Sequence, residues 1–153
     1  MENSDIEIAL AYDFDLDQLS LHYQPQADLQ TGRICGMESL LRWQHPEFGN
    51  IPPSLFIPLA EQSLQIIQIG EWVIRRACQD LRQWLDMGIK AQPVAVNISP
   101  LQFSDQLLST VRGAMDQYQI APDMLELEVT EGSLMSDVAA SEKMLIAFKQ
   151  MGL

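Results

Sequence analysis

Two periods of hydrophobic and polar residues divide this chain. Alternation at every second position marks strands, and apolar residues every third or fourth position mark helices. Leu19 to Gln26 alternates, with Leu21 and Tyr23 on one face and His22 and Gln24 on the other. Pro25 is expected to break the ladder near its end. Asp28 to Gly32 has turn chemistry, with Gly32 in the φ > 0 position. Arg33 to Trp43 is the next strand, and so short a connection predicts an antiparallel hairpin. His45 to Asn50 reads as a loop, and Pro52-Pro53-Ser54 opens a short helix over Leu55 to Gln62. A long helix over Leu64 to Met87 carries the stripe Ile66, Gly70, Ile74, Ala77, Leu81, Trp84 and Leu85. Arg75, Arg76, Asp80, Arg82, Gln83 and Asp86 cover its other side, and Gly88 suits the C′ position. A short buried strand spans Pro93 to Ser99. A helix then spans Asp105 to Gln119, with Leu107, Leu108, Val111, Met115 and Tyr118 on its apolar stripe. Leu125 to Glu131 reads as a strand and Asp137 to Met151 as the last helix.

From Gly49 onward the order is helix, strand, helix, strand, helix, a βα repeat that implies a parallel sheet. The fold class expected is α/β: a partial (β/α) barrel of the TIM type with an antiparallel first strand, truncated before the later strands. A complete barrel takes about 250 residues, against the 153 of this chain. Residues 1–18 form an acidic lead-in segment, expected to be partly helical. Its Asp13, Asp15 and Asp17 resemble the start of a calcium loop, but the glycine and closing glutamate of such a loop are missing from the required offsets.

Charge narrows the function. The net charge is −12, which excludes the basic field that bulk DNA or RNA binding needs and a polybasic membrane patch. An anionic ligand would need local arginines or bound metal ions. Cys35 and Cys78 have neither metal nor disulfide spacing and are expected to be buried thiols in a reducing compartment. The acidic N-terminus does not resemble a signal peptide, and no run of 18 apolar residues spans a membrane. The expected location is cytoplasmic, with room for a membrane anchor elsewhere in a longer parent.

Candidate chemistry lies at the strand ends. On Gly36 to Trp43 the alternation puts Glu38 and Arg42 on one face, an acid and a guanidinium suited to a cation and a phosphate together; two solvated charges would give the same pattern. Asn97 ends its strand and either caps the following turn or serves a site. Glu126, Glu128 and Thr130 share a face, either a solvated edge or inward acids that need cations. His45 could be a ligand or base, though a histidine beside a proline is more often a packing residue. Asn97 and Glu128 lie 31 positions apart, about one βα unit, so they occupy equivalent places at successive strand ends. Glu38 precedes Asn97 by 59, room for an enlarged helical connection. Strand C-termini carry the active sites of α/β barrels, and three hard oxygen ligands there suit Mg²⁺ or Mn²⁺ better than Zn²⁺.

Tyr23-Gln24-Pro25, Glu38-Ser39-Leu40-Leu41-Arg42-Trp43, Phe56-Ile57-Pro58-Leu59-Ala60-Glu61, Val96-Asn97-Ile98-Ser99 and Glu128-Val129-Thr130-Glu131 together resemble the EAL domain. Ser39 stands where the family name has alanine. The resemblance implies hydrolysis of cyclic di-GMP to linear pGpG, with residues 19–153 as the first half of the domain's barrel. It implies metal ligation by Glu38, Asn97 and Glu128, dinucleotide binding by Gln24 and Arg42, and a loop-anchoring role for Glu131. The family's Asp-Asp-Phe-Gly motif, catalytic lysine and later glutamate fall after Leu153, so the chain alone is expected to be inactive. The alternative is a degenerate, non-catalytic module for nucleotide sensing or protein interaction. A fused sensor or GGDEF domain is the expected companion in the parent. The open edge at Leu125 to Thr130 predicts self-association into a homo-oligomer.

Overall fold

The period-two segments form one sheet, and the helices that follow them cover it. A computed structural model describes residues 2–129 and 138–153. The expected strand end at Thr130 and Glu131, and the expected helix start at Asp137, lie outside the described residues. Strand β1 (Leu19–Ala27) pairs antiparallel with β2 (Ile34–His45), from Leu19 opposite Trp43 to Gln26 opposite Gly36. Asp28 builds the turn between them: its Oδ1 accepts the backbone N–H groups of Gln30 and Thr31. Gly32 supplies the positive φ of 66°. The ladder runs through Pro25 and shifts one step later, between Gln26 and Ala27. Among the described residues β1 is paired on one side only, where a residue without an N–H is tolerated.

Strand β2 is longer than its alternation suggested. After a tight turn, β3 (Gly49–Ile51) folds back on it, Trp43 opposite Ile51 and His45 opposite Gly49. The expected loop at His45 to Asn50 is therefore a second hairpin, too short to show a period in sequence. Helices α2 (Pro53–Gln62) and α3 (Gln65–Asp86) lead to β4 (Val94–Asn97), which lies parallel to β2. Helix α4 (Asp105–Tyr118) leads to β5 (Leu125–Glu128), parallel to β4, and α5 (Val138–Gln150) follows. The order is β1-β2-β4-β5, and the sheet does not close. This is the α/β architecture expected, an open portion of a barrel.

Trp43 is the centre of the core on the helix-covered face of β2. It is fully buried, meets Phe14 and Phe56 edge to face, and donates its indole N–H to Gln18 Oε1. Helix α3 buries Ile66, Ile69, Gly70, Val73, Ile74, Ala77 and Leu81. Asp80 departs from the expected polar side: it is buried, accepts the Tyr23 hydroxyl at 2.6 Å and pairs with Arg76 at 3.0 Å. The acidic lead-in packs as well. Helix α1 (Asn3–Ile8) and the π-helical turn at Ala9–Asp13 bury Ile6, Ala9 and Leu10, and Gln65 Nε2 donates to the Leu10 carbonyl. Asp15 caps a 3-10 turn by accepting the Asp17 N–H. Cys78 is buried, which pushes its thiol up to about 11, whereas Cys35 is exposed on the hairpin, contrary to expectation. No described helix is long and apolar enough to cross a membrane.

Candidate active site

The register sets the geometry of the site. Gln24 lies opposite Glu38, Glu38 beside Ala95, and Asn97 beside Glu128. Paired residues share a face and side chains alternate along a strand. Gln24, Gln26, Glu38, Asn97, Glu126 and Glu128 therefore occupy one face of the sheet, opposite the Trp43 core. Asn97 Nδ2 donates to Glu38 Oε1 at 3.1 Å, bridging β4 to β2 across 59 residues of chain. The Ile98 N–H donates to the Glu128 carbonyl at 2.9 Å, continuing the β4–β5 ladder just past Asn97.

The charges on this face oppose one another. Burial pushes the Glu128 carboxyl above the usual carboxylate range, and repulsion from Glu38 and Glu126 adds to the shift. A hydrogen bond from Gln26 pulls the other way. Gly36 makes room for that amide, because a Cβ there would lie 3.3 Å from Gln26 Oε1. The ion pairs among the described residues, Arg76–Asp80 and Arg82–Asp86, involve none of these glutamates. The described residues hold no cluster of three His, Cys, Asp or Glu side chains placed for a metal. What they bring together is two carboxylates and an amide oxygen, the donor chemistry of a hard divalent cation. Mutual repulsion at Glu128 fits a place where positive charge would be favoured.

Arg42 stands four residues beyond Glu38 on the same face of β2, and its Nη1 donates to the Leu41 carbonyl. It lines a cavity of about 310 Å³ with Asn97, Ser99, Glu61, Pro53 and Ile57. Asn97 is thus common to the carboxylate face and to the arginine cavity. The structure brings Glu38, Asn97 and Glu128 together and sets Gln24 across the hairpin from Glu38. Glu131 lies outside the described residues. His45 is buried on the opposite face, where its Nδ1 accepts the backbone N–H groups of Glu47 and Phe48 and its ring stacks on Phe48. It is a packing and turn-closing residue.

Sequence reasoning missed Gln26, although its parity with Gln24 was a usable signal. It also missed the partners of Ser39 and Ser99. Ser39 Oγ donates to the Ala95 carbonyl at 2.9 Å, so a hydroxyl in the alanine position of the motif is satisfied between β2 and β4. Ser99 Oγ donates to Glu61 Oε1 at 2.7 Å.

Residues 7–153 match the family model of the EAL domain. MucR of Pseudomonas aeruginosa, a bifunctional diguanylate cyclase/cyclic di-GMP phosphodiesterase, is 46% identical over 136 residues, covering 88% of this chain and 20% of MucR. The cyclic di-GMP phosphodiesterase NbdA of the same organism is 41% identical over 137 residues, covering 89% of this chain and 18% of NbdA. The chain spans about a fifth of the length of these curated relatives. Among solved structures, the PaMucR phosphodiesterase in complex with c-di-GMP superposes with a TM-score of 0.84 at 44% identity, covering 98% of this chain and 60% of that one. The Xanthomonas citri FimX EAL domain in complex with c-diGMP gives a TM-score of 0.79 at 27% identity, covering 97% of this chain and 56% of that one. The chain belongs to the EAL domain family.

Proposed function

We propose that this chain forms one wall of a metal-dependent phosphodiesterase site that hydrolyses cyclic di-GMP to linear pGpG. The observation that carries the proposal is the convergence of Glu38, Asn97 and Glu128 on one sheet face, with the Asn97 amide bonded to Glu38. Those three side chains are the proposed ligands of Mg²⁺ or Mn²⁺. A cation held there would neutralise phosphate charge and acidify a bound water.

The chain's other residues bind and orient. Arg42 presents a forked set of donors at the strand end, suited to a phosphate. Gln24, across from Glu38, offers an amide to the dinucleotide, and Pro53 and Ile57 give the cavity beside Arg42 apolar walls. Glu131 is proposed to anchor a neighbouring loop. Residues 19–153 supply these groups as the first half of the barrel, with the remaining catalytic groups on later strands and a sensor or GGDEF domain as the companion module.

A version extended past Leu153 is expected to hydrolyse cyclic di-GMP with Mg²⁺ or Mn²⁺, and Glu38→Ala is expected to abolish turnover. A fully active Glu38→Ala protein would sink the proposal. The 153-residue chain itself is proposed to self-associate over the edge of β5 that is unpaired among the described residues. A clean monomer by light scattering at high concentration would contradict that.

A further inference from the structure

The segment that leaves β4 immediately after Asn97 is fastened to three different elements. The Ile98 N–H holds it to the Glu128 carbonyl on β5 at 2.9 Å. Ser99 Oγ holds it to Glu61 Oε1 on α2 at 2.7 Å. Gln102, 4% exposed, holds it to α3: its Oε1 accepts the Ser99 N–H at 2.9 Å, and its amide packs directly against Gly70. A Cβ built on Gly70 would overlap the Gln102 amide. A 3-10 turn at Pro100–Gln102, with Ser99 as its N-cap and Gln102 completing the capping box, makes the segment rigid between these anchors.

We infer that Glu61 is a positioning residue for Asn97, acting through Ser99. Asn97 needs a fixed direction to bridge Glu38 while standing beside Glu128. The bond to Glu128 fixes it sideways along the sheet, Gln102 packs the following turn against α3, and the Glu61–Ser99 bond ties the strand end to α2 across the cavity. One residue separates Asn97 from Ser99, so a Ser99 released from α2 lets the β4 end rotate. The Asn97 amide then loses its line to Glu38. Glu61 does this as a hydrogen-bond acceptor, and its charge is not required. Groups that orient a ligand are conventionally tested by their effect on the ligand's affinity, and removing them costs about tenfold to a hundredfold. The metal arm of this inference rests on the proposed cation site; the geometric arm does not.

The test uses the 153-residue chain, with Ser99→Ala, Glu61→Ala and Glu61→Gln beside the parent sequence. Hydrogen exchange of the Asn97 side-chain amide is read by NMR, with the Val96 backbone amide as an internal control of the fold, and Mn²⁺ binding is titrated in parallel. The expected result is faster Asn97 exchange in Ser99→Ala and Glu61→Ala, with Val96 unchanged and Mn²⁺ affinity lower by about tenfold. Glu61→Gln, which keeps the acceptor, is expected to behave as the parent. Parent-like Asn97 exchange in Glu61→Ala and Ser99→Ala overturns the inference. So does a Glu61→Gln protein that behaves like Glu61→Ala, since the charge would then be what matters. If the exchange pattern holds while no protein, the parent included, binds Mn²⁺, the positioning stands and the cation site fails.

Discussion

Asp80 is a buried carboxylate and Glu128 a half-buried one, and the chain treats them in opposite ways. Asp80, on the helix-covered side, receives a tyrosine hydroxyl and an arginine. Its partner Tyr23 is pushed well above the usual phenol range, first by burial and then by the bond to Asp80. Glu128, on the other face, receives only an amide from Gln26 while Glu38 and Glu126 repel it. The Asp80 network is closed: every charge in it has a partner within the chain. The Glu38–Asn97–Glu128 face is open: it collects negative charge, and the ion pairs among the described residues, Arg76–Asp80 and Arg82–Asp86, do not reach its glutamates. Closed networks hold a fold together, whereas an open one is costly unless something from outside completes it.

That contrast can be broken most forcefully at Asp80. Asp80→Ala leaves the Tyr23 hydroxyl without its acceptor and Arg76 without its pair, and is expected to cost about 2–3 kcal/mol of folding stability. Chemical denaturation measures it, and an unchanged midpoint would mean that the network is not closed as described. The corresponding change on the open face, Glu128→Gln, is expected to leave the metal-free chain as stable as before or to raise its melting temperature, because it removes a repelled charge. It is also expected to abolish any stabilisation by Mn²⁺. The smallest effect is on pH dependence. A carboxyl raised in the folded state contributes stability that is present at acid pH and lost as pH climbs through a window above the usual carboxylate range. The advantage of Glu128→Gln over the parent should therefore shrink on acidification, as read by thermal melts at several pH values. An advantage that grew on acidification would reverse the assignment of sign.

Much of the open face was legible because strand parity is a strict rule. The alternation on Gly36 to Trp43 put Glu38 and Arg42 together, and the 31-residue spacing put Asn97 beside Glu128, as the register has it. The closed network was not legible. Helical period assigned Asp80 to the polar side of α3, and nothing local reveals a tyrosine 57 residues earlier on β1. Strand β3 was missed because three residues carry no period. Cys35 was expected to be buried because it has neither metal nor disulfide spacing, but it stands exposed at the start of β2 beside the hairpin turn. Pro25 was expected to stop the ladder, yet a strand paired on one side has no need of its N–H there. The Glu61–Ser99 bond joins motifs 38 residues apart and is visible only once α2 and β4 are placed.

We propose that a cation completes the open face. Titration of the 153-residue chain with Mn²⁺, followed by electron paramagnetic resonance of the free ion, tests it most directly. One saturable site per chain is expected, lost in Glu38→Ala and in Glu128→Gln but retained in Asp80→Ala protein that is still folded. Binding that survives both glutamate substitutions, or no binding to the parent chain at all, would contradict it.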